Sequence, residues 1–177
     1  MGRIGNYQKN TDMLLEALDK VDLKDWRFYI IGQVTDSFRT DSQSSYQNKI
    51  DEFFEKHPHL VEKVIFTGPI YDTKTIFEYY NKAKVFVLTS RHESFANVLS
   101  EAAAFGCFFV STDVGGASLV TNSWRYGIKI DQEDSDGLAI AINSIISGSI
   151  KINKLNRFPV NELLYSNKIV DIVRFLK

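Results

Sequence analysis

The chain is poor in the residues that cross-link or metallate a protein. It holds one cysteine, Cys107, which excludes an internal disulfide, and one thiol with three scattered histidines has no zinc-ligand spacing. No metal site is expected. Long hydrophobic runs are also missing: stretches such as Val85–Leu88 and Cys107–Val110 fall far short of the roughly 18 residues of a membrane span. Met1-Gly2-Arg3 opens no signal-peptide core, so a soluble cytoplasmic protein is expected. Neither charge sign dominates, since 21 Lys+Arg against 22 Asp+Glu leave a formal charge of −1. Without a basic block, nucleic acid is not the expected partner. No G-x-G-x-x-G follows a strand-like run and no G-x-x-x-x-G-K-[ST] occurs, which argues against a dehydrogenase and a P-loop enzyme.

What is present describes a globular α/β domain. At about 150 residues per domain, 177 residues make one, and 44% hydrophobic with 13% aromatic content is enough for a core. Short β-branched and aromatic runs at Arg27–Ile31, Val64–Thr67, Val85–Leu88, Phe108–Ser111 and Tyr126–Ile130 read as buried parallel strands. Between them, apolar spacing predicts helices near 9–20, 42–56, 73–82, 96–105 and 135–147. The alternation predicts a Rossmann-like, doubly wound parallel sheet. Ligands of such sheets lie at the carboxyl ends of the strands, where Gly32, Gly68, Ser90, Asp113 and Asp131 fall.

The two ends are less regular. A doubly wound domain ordinarily opens on a strand, whereas Met1–Lys9 reads as the loop after one, so the opening strand is expected to be missing and the chain to be a piece of something longer. Residues 160–177 carry an apolar stripe at Leu163, Leu164, Ile169, Val170, Val173 and Leu176. That stripe predicts a last helix made to pack on an absent N-terminal domain.

The chemistry concentrates in Ser90–Gly106, where Glu93 and Glu101 lie eight residues apart. With Ser94 as N-cap, Glu93 falls in the loop before a helix and Glu101 about one and a half turns into it. Helical side chains lean toward the N-terminus, so both carboxylates can reach a ligand over the helix start. The free amides there, at Ala96 and Asn97, favour an anion. Carboxylates for hydroxyls beside an anion site suit a sugar nucleotide. Taken alone, two glutamates at this spacing are more often solvated charges; the strand–loop–helix order and the slim face of Ala102, Ala103 and Ala104 favour function. Arg3 and Lys9 around Gly5 suggest a second anion device, although alone they read as surface cations. Asp113-Val-Gly115-Gly116 allows close backbone approach to a ligand, and an ordinary turn explains it nearly as well.

These residues resemble a known family. Gly-Arg…Lys…Leu-Leu…Ala, Phe-Tyr-Ile-Ile-Gly, Phe-Thr-Gly, Tyr-Tyr-Asn-Lys-Ala-Lys-Val-Phe-Val-Leu-Thr-Ser-Arg-His-Glu-Ser-Phe, Glu-Ala-Ala-Ala-Phe-Gly and Val-Gly-Gly occur in the order found in the C-terminal domain of group 1 (family 4) retaining glycosyltransferases. The resemblance runs from about Gly2 to Ala141. It implies the donor-binding half of a GT-B fold, with the active site in the cleft between two Rossmann-like domains. It further implies that Arg3 and Lys9 meet the donor diphosphate, that Glu93 lies beside the transferred sugar and that Glu101 holds the ribose hydroxyls. Phe95, Ala96 and Asn97 match the loop whose amides meet sugar and phosphate, and Pro69 and Ile70 the loop that touches the base. No metal is required. Ala96 stands where the family has glycine, and Leu119 where Gly-Gly-x-x-Glu has its glutamate.

The resulting expectation is a cytoplasmic sugar transferase acting on a nucleoside diphosphate sugar and a saccharide or lipid-linked acceptor in polysaccharide biosynthesis, peripheral to the inner membrane face in the full protein. This chain alone is expected to be inactive without its N-terminal domain. The alternatives are a nucleotide or sugar-nucleotide binding module that no longer catalyses, and an interaction protein that self-associates where the strand is missing.

Overall fold

The computed structural model describes residues 2–35, 45–94 and 97–152. The strands are β1 (Gly2–Ile4), β2 (Phe28–Val34), β3 (Val64–Gly68), β4 (Val85–Leu88), β5 (Phe108–Thr112) and β6 (Gly127–Ile130). Interleaved with them are the helices α1 (Thr11–Leu18), α2 (Tyr46–Lys56), α3 (Thr73–Lys82), α4 (Asn97–Ala104), α5 (Ala117–Val120) and α6 (Ser135–Ile146). Every strand pair is parallel, in two three-stranded sheets of order β1-β2-β3 and β4-β5-β6. The chain thus builds outward from β1 to β3, crosses back through α3, and builds outward again from β4. That reversal is the switch point at which doubly wound sheets hold their ligands, and the fold is the α/β, Rossmann-like one expected.

Side chains along each strand alternate between two apolar layers, as the period of a strand requires. Val85, Val87, Phe108 and Val110 join Leu14, Leu18, Leu138 and Ile142 in the larger core. Phe86, Leu88 and Phe109 face the other way, onto Tyr80, Leu99, Ala102 and Ala103. One layer is therefore closed by α1, α2 and α6, and the other by α3, α4 and α5. All five residues of β5 are buried, so it reads in sequence as a continuous hydrophobic run. Leu18 and Phe109, both 0% exposed, each contribute about 1.5–3 kcal/mol from burial.

Helix starts are fixed by side-chain caps. Asp72 accepts from the Thr75 amide at 2.8 Å, Asp134 from Gly137 at 2.8 Å, and Ser45 from Asn48 at 3.3 Å. Such caps are typically worth about 1 kcal/mol each. Five strands and helices α3, α4 and α6 lie within three residues of their expected bounds, and α3 matches at both ends. Helix α1 is shorter than 9–20, because Asn10 takes the left-handed conformation (φ 48°) and caps it.

The opening segment corrects the sequence reading. Gly2–Ile4 is a strand and not a loop: it pairs in parallel with Gly32–Val34. Pairing is possible because Gly32 has no side chain; a Cβ there would stand 1.8 Å from the Gly2 carbonyl oxygen. Arg3 therefore sits within β1. The turn at Gly115-Gly116 leads into α5, a four-residue helix that was not foreseen. The stripe expected over 160–177 lies outside the described residues, as do Phe95 and Ala96. Among the described residues, no helix is long and apolar enough to cross a membrane.

Candidate functional site

Three loops meet at the carboxyl end of the switch point: Gly5–Asn10 after β1, Thr89–Ser94 after β4, and Asp131–Asp134 after β6. The first turns sharply at Gly5, whose φ of 83° and distance of 2.4 Å from an added Cβ to Tyr46 Cγ admit only glycine. It continues as a short 3₁₀ turn, Tyr7–Lys9, capped by the Asn6 side chain. That turn aims Lys9 across the sheet edge, where its ammonium donates to Glu93 Oε1. Glu93 Oε1 also accepts from the Ser90 hydroxyl at 2.8 Å. The pair is half-sheltered, with side-chain exposures of 26% for Lys9 and 10% for Glu93. A charged pair this withdrawn from water can exchange partners with an incoming anion and polyol, since ligand groups replace what each partner loses.

The loops are locked to each other by Arg91. Its guanidinium donates Nε and Nη2 to the two oxygens of Glu133 at 2.6 and 2.9 Å, and Nη1 to the Tyr7 carbonyl at 2.6 Å. The same group lies 4.2 Å from the centre of the Tyr7 ring. Backbone contacts repeat the connection: Arg91 N–H donates to Gln8 O at 2.8 Å, and Gln8 Nε2 donates to His92 O at 2.9 Å. Gln132 Nε2 holds the Arg91 carbonyl at 2.7 Å. Behind them the Thr89 hydroxyl is shared between the carbonyls of Lys9 and Asn10, 3.0 Å from each. The Arg91 hydrogen bond holds the Glu133 carboxyl below its ordinary range, and Glu133 in turn raises Arg91. The bidentate fork fixes direction as well as distance, so the backbone carrying Glu93 has one placement relative to Lys9.

Glu101 lies on α4, and its Oε2 accepts from the Tyr80 hydroxyl at 2.8 Å. Tyr80 is 6% exposed and comes from α3, with its ring stacked on Phe105 at 5.6 Å and 14°. Burial, and then the bond to Glu101, push its phenol well above the ordinary tyrosine range. Asn97 is the exposed first residue of α4, where unpaired helical amides begin. Pro69 and Ile70 follow β3 at the same edge of the sheet, directly after Gly68.

The structure thus joins Lys9 to Glu93 and puts Glu101 on the helix that follows. It leaves Arg3 exposed on β1. Arg91, Tyr80 and Glu133 were missed by the sequence reading, which marked Ser90 only for its place at a strand end. Arg91 and Ser90 stand in the polar run after a strand, which is a signal; Glu133, 42 residues from its partner, offers none.

Comparison with known proteins turns this geometry into a family. Residues 1–148, most of the chain, match the family described as glycosyl transferases group 1. The chain belongs to the group 1 glycosyltransferases. It is 26% identical over 149 residues to the amylovoran biosynthesis glycosyltransferase AmsD of Erwinia amylovora, covering 83% of this chain and 37% of that protein. Its fold is similar to the C-terminal domain of the group 1 protein LpcC of Francisella tularensis, with a TM-score of 0.77 at 23% identity over 94% of this chain and 82% of that one. It is also similar to HepE of Anabaena, solved with UDP, with a TM-score of 0.69 at 19% identity over 98% of this chain and 48% of that one. The chain therefore spans well under half the length of the curated relative and about half of HepE.

Proposed function

We propose that this group 1 domain binds the nucleoside diphosphate of a sugar donor at the switch point, as the donor half of a retaining family 4 transferase. The observation that carries the reading is the Lys9–Glu93 pair, held between the two central loops with Glu101 on the next helix. The donor diphosphate takes Lys9 away from Glu93 and draws in Arg3, whose guanidinium is free to turn on an exposed strand position. Cations at this place stabilise the charge that develops on the departing nucleotide. Glu93, released from Lys9, accepts from the hydroxyls of the sugar. Glu101, steadied by Tyr80, accepts from the ribose hydroxyls. Asn97 at the start of α4, with Phe95 and Ala96 before it in sequence, supplies amides to phosphate and sugar, and Pro69 and Ile70 border the base.

In this reading the nucleotide leaves from the face on which the acceptor arrives, so the anomeric configuration is retained and no metal is called for. The acceptor is a saccharide or lipid-linked saccharide, a class consistent with the biosynthetic role named for AmsD. It docks on a second domain that forms the other wall of the cleft, and transfer by this chain alone is absent because neither acceptor nor donor is then fully oriented. The complete enzyme works in the cytoplasm at the inner membrane face.

Calorimetric titration with UDP, GDP and ADP tests the proposal. UDP is the first choice because similar folds were solved with it. Saturable binding of one nucleotide, weakened at least tenfold by Lys9→Ala and by Glu101→Ala in folded protein, is expected; a folded chain that binds none of the three contradicts it.

A further inference from the structure

Tyr7 is 70% exposed, yet its placement is fixed from several sides. Its backbone lies in the 3₁₀ turn Tyr7–Lys9, which the Asn6 side chain caps by accepting from Gln8 N–H at 2.7 Å. Its carbonyl accepts from Arg91 Nη1 at 2.6 Å, and the same guanidinium lies over the ring, 4.2 Å from its centre. That guanidinium is itself aimed by the two oxygens of Glu133. A lone apolar side chain on a surface ordinarily needs no explanation, but such a side chain is free to turn. The Tyr7 ring is held in one orientation, with a cation behind one face and the other face open among the described residues.

The ring also occupies a definite side of the site. The Lys9–Glu93 pair stands between two flanks. On one, Pro69 and Ile70 lead toward α3, and Glu101 of α4 is bonded to Tyr80 of α3. On the other, Tyr7–Lys9 leads into α1, and Glu133 stands just before α6. Asn10 Nδ2 joins these two by donating to Glu133 Oε1 at 3.3 Å, and α1 packs on α6. The α3–α4 flank is where the proposed function puts the nucleoside. A donor whose diphosphate meets Lys9 therefore directs the part beyond the phosphates, the sugar and whatever approaches it, toward the α1–α6 flank and Tyr7.

An immobile aromatic face beside polar groups suits a pyranose. Such a ring carries C–H groups on its faces and hydroxyls around its edge, so stacking withdraws apolar surface from water while the hydroxyls keep their hydrogen bonds. Tyrosine offers that surface at a low conformational cost, lower still when its orientation is already set. Partners for hydroxyls stand on the same loops. Gln8 and Gln132 donate their amide nitrogens to the carbonyls of His92 and Arg91 at 2.9 and 2.7 Å, which leaves their side-chain oxygens to accept.

We propose that Tyr7 is a stacking platform for a saccharide, with one pyranose seated on the face turned away from Arg91. The sugar is the one carried by the donor or one belonging to the acceptor, and the chemistry recognised is the same. Its position relative to the nucleoside rests on the nucleotide reading, whereas the stacking itself does not.

Saturation-transfer and nuclear Overhauser measurements on the folded chain test the proposal, with the methyl glycosides of glucose, galactose and N-acetylglucosamine at tens of millimolar. At least one glycoside is expected to show contacts from its C–H protons to the Tyr7 ring. Tyr7→Phe keeps the ring and retains the binding, while Tyr7→Ala weakens it by about two- to tenfold, as the loss of one aromatic contact does. Adding UDP-glucose, UDP-galactose or UDP-N-acetylglucosamine separates the two sources. Displacement of the glycoside from Tyr7 assigns the platform to the donor's sugar, and a glycoside that stays beside the bound UDP-sugar assigns it to the acceptor's. Binding of UDP itself, followed through its uracil protons, judges the nucleotide reading separately. The proposal is overturned if no glycoside reaches the Tyr7 ring, if Tyr7→Ala binds as the parent does, or if UDP alone sets its uracil against that ring.

Discussion

Replacing Tyr80 by phenylalanine separates the orientation of Glu101 from the packing of α3. The ring keeps its stack on Phe105 at 5.6 Å and its tilted contact with Phe86 at 6.1 Å, so no cavity opens. What is lost is one hydroxyl, donating at 2.8 Å to Glu101. Hydrogen bonds to charged groups contribute about 1.5–3 kcal/mol. Glu101 is only half-buried and recovers water, so the loss lies at or below the lower end, about 1 kcal/mol. For a chain of this size that lowers the melting temperature by roughly 2–4 °C. The freed carboxylate samples several rotamers, and at about 1.4 kcal/mol per tenfold nucleotide affinity falls by roughly three- to tenfold. Differential scanning calorimetry and UDP titration of Tyr80→Phe, Glu101→Gln and the double variant are the assay. A coupling of at least about 0.5 kcal/mol between the two sites in binding is expected. Additive effects within about 0.3 kcal/mol would refute the argument that Tyr80 acts through Glu101.

Three other outcomes follow from the same geometry. Lys9→Ala leaves Glu93 with Ser90 as its one side-chain partner among the described residues, and since Lys9 is only partly sheltered the cost is about 2 kcal/mol, below the roughly 3–5 of a fully buried pair; chemical denaturation measures it. Gly5→Ala combines a left-handed backbone with a Cβ forced to 2.4 Å from Tyr46, and a loss of at least about 2 kcal/mol should appear in the same assay. Arg91→Ala releases the loops that follow β1, β4 and β6, so their amides exchange faster. Because Arg91 lowers the Glu133 pKa, its contribution is present above the ordinary glutamate range and is lost as pH falls through the lowered value. The stability difference between Arg91→Ala and the parent should therefore be larger near neutrality than in acid, where the Arg91 contacts with the Tyr7 carbonyl and ring remain; a difference that does not shrink in acid contradicts the assignment.

The sequence carried the sheet further than the site. Val85–Leu88 and Phe108–Thr112 were legible because strands covered on both faces need apolar residues at every position. Apolar spacing alone placed α3 and α6, whose starts the Asp72 and Asp134 side chains cap. β1 was misread because nothing in Gly-Arg-Ile looks like a strand: its pairing depends on Gly32, 30 positions away, leaving room for the Gly2 carbonyl. The site shows the same division. Glu93 and Glu101 stood out by spacing and local context, and Lys9 by its place in an expected anion loop. That Lys9 meets Glu93 across 84 residues is a product of the crossover through α3, that Tyr80 steadies Glu101 comes from the packing of α3 beside α4, and that Arg91 grips Glu133 comes from the parallel pairing of β4, β5 and β6; no local pattern encodes any of them. Leu119, 66% exposed on α5, remains a departure from the family pattern that nothing in the structure explains.

The central claim is that nucleotide binds where the loops after β1 and β4 meet. Amide chemical-shift mapping of the isotope-labelled chain during UDP titration tests it most directly. The account predicts saturable shifts at Gly5–Asn10, at Thr89–Ser94 and along the first turn of α4, all reduced together in Lys9→Ala. Shifts confined to Phe28–Ile31 and Val85–Leu88 would contradict it, as would a spectrum that UDP leaves unchanged.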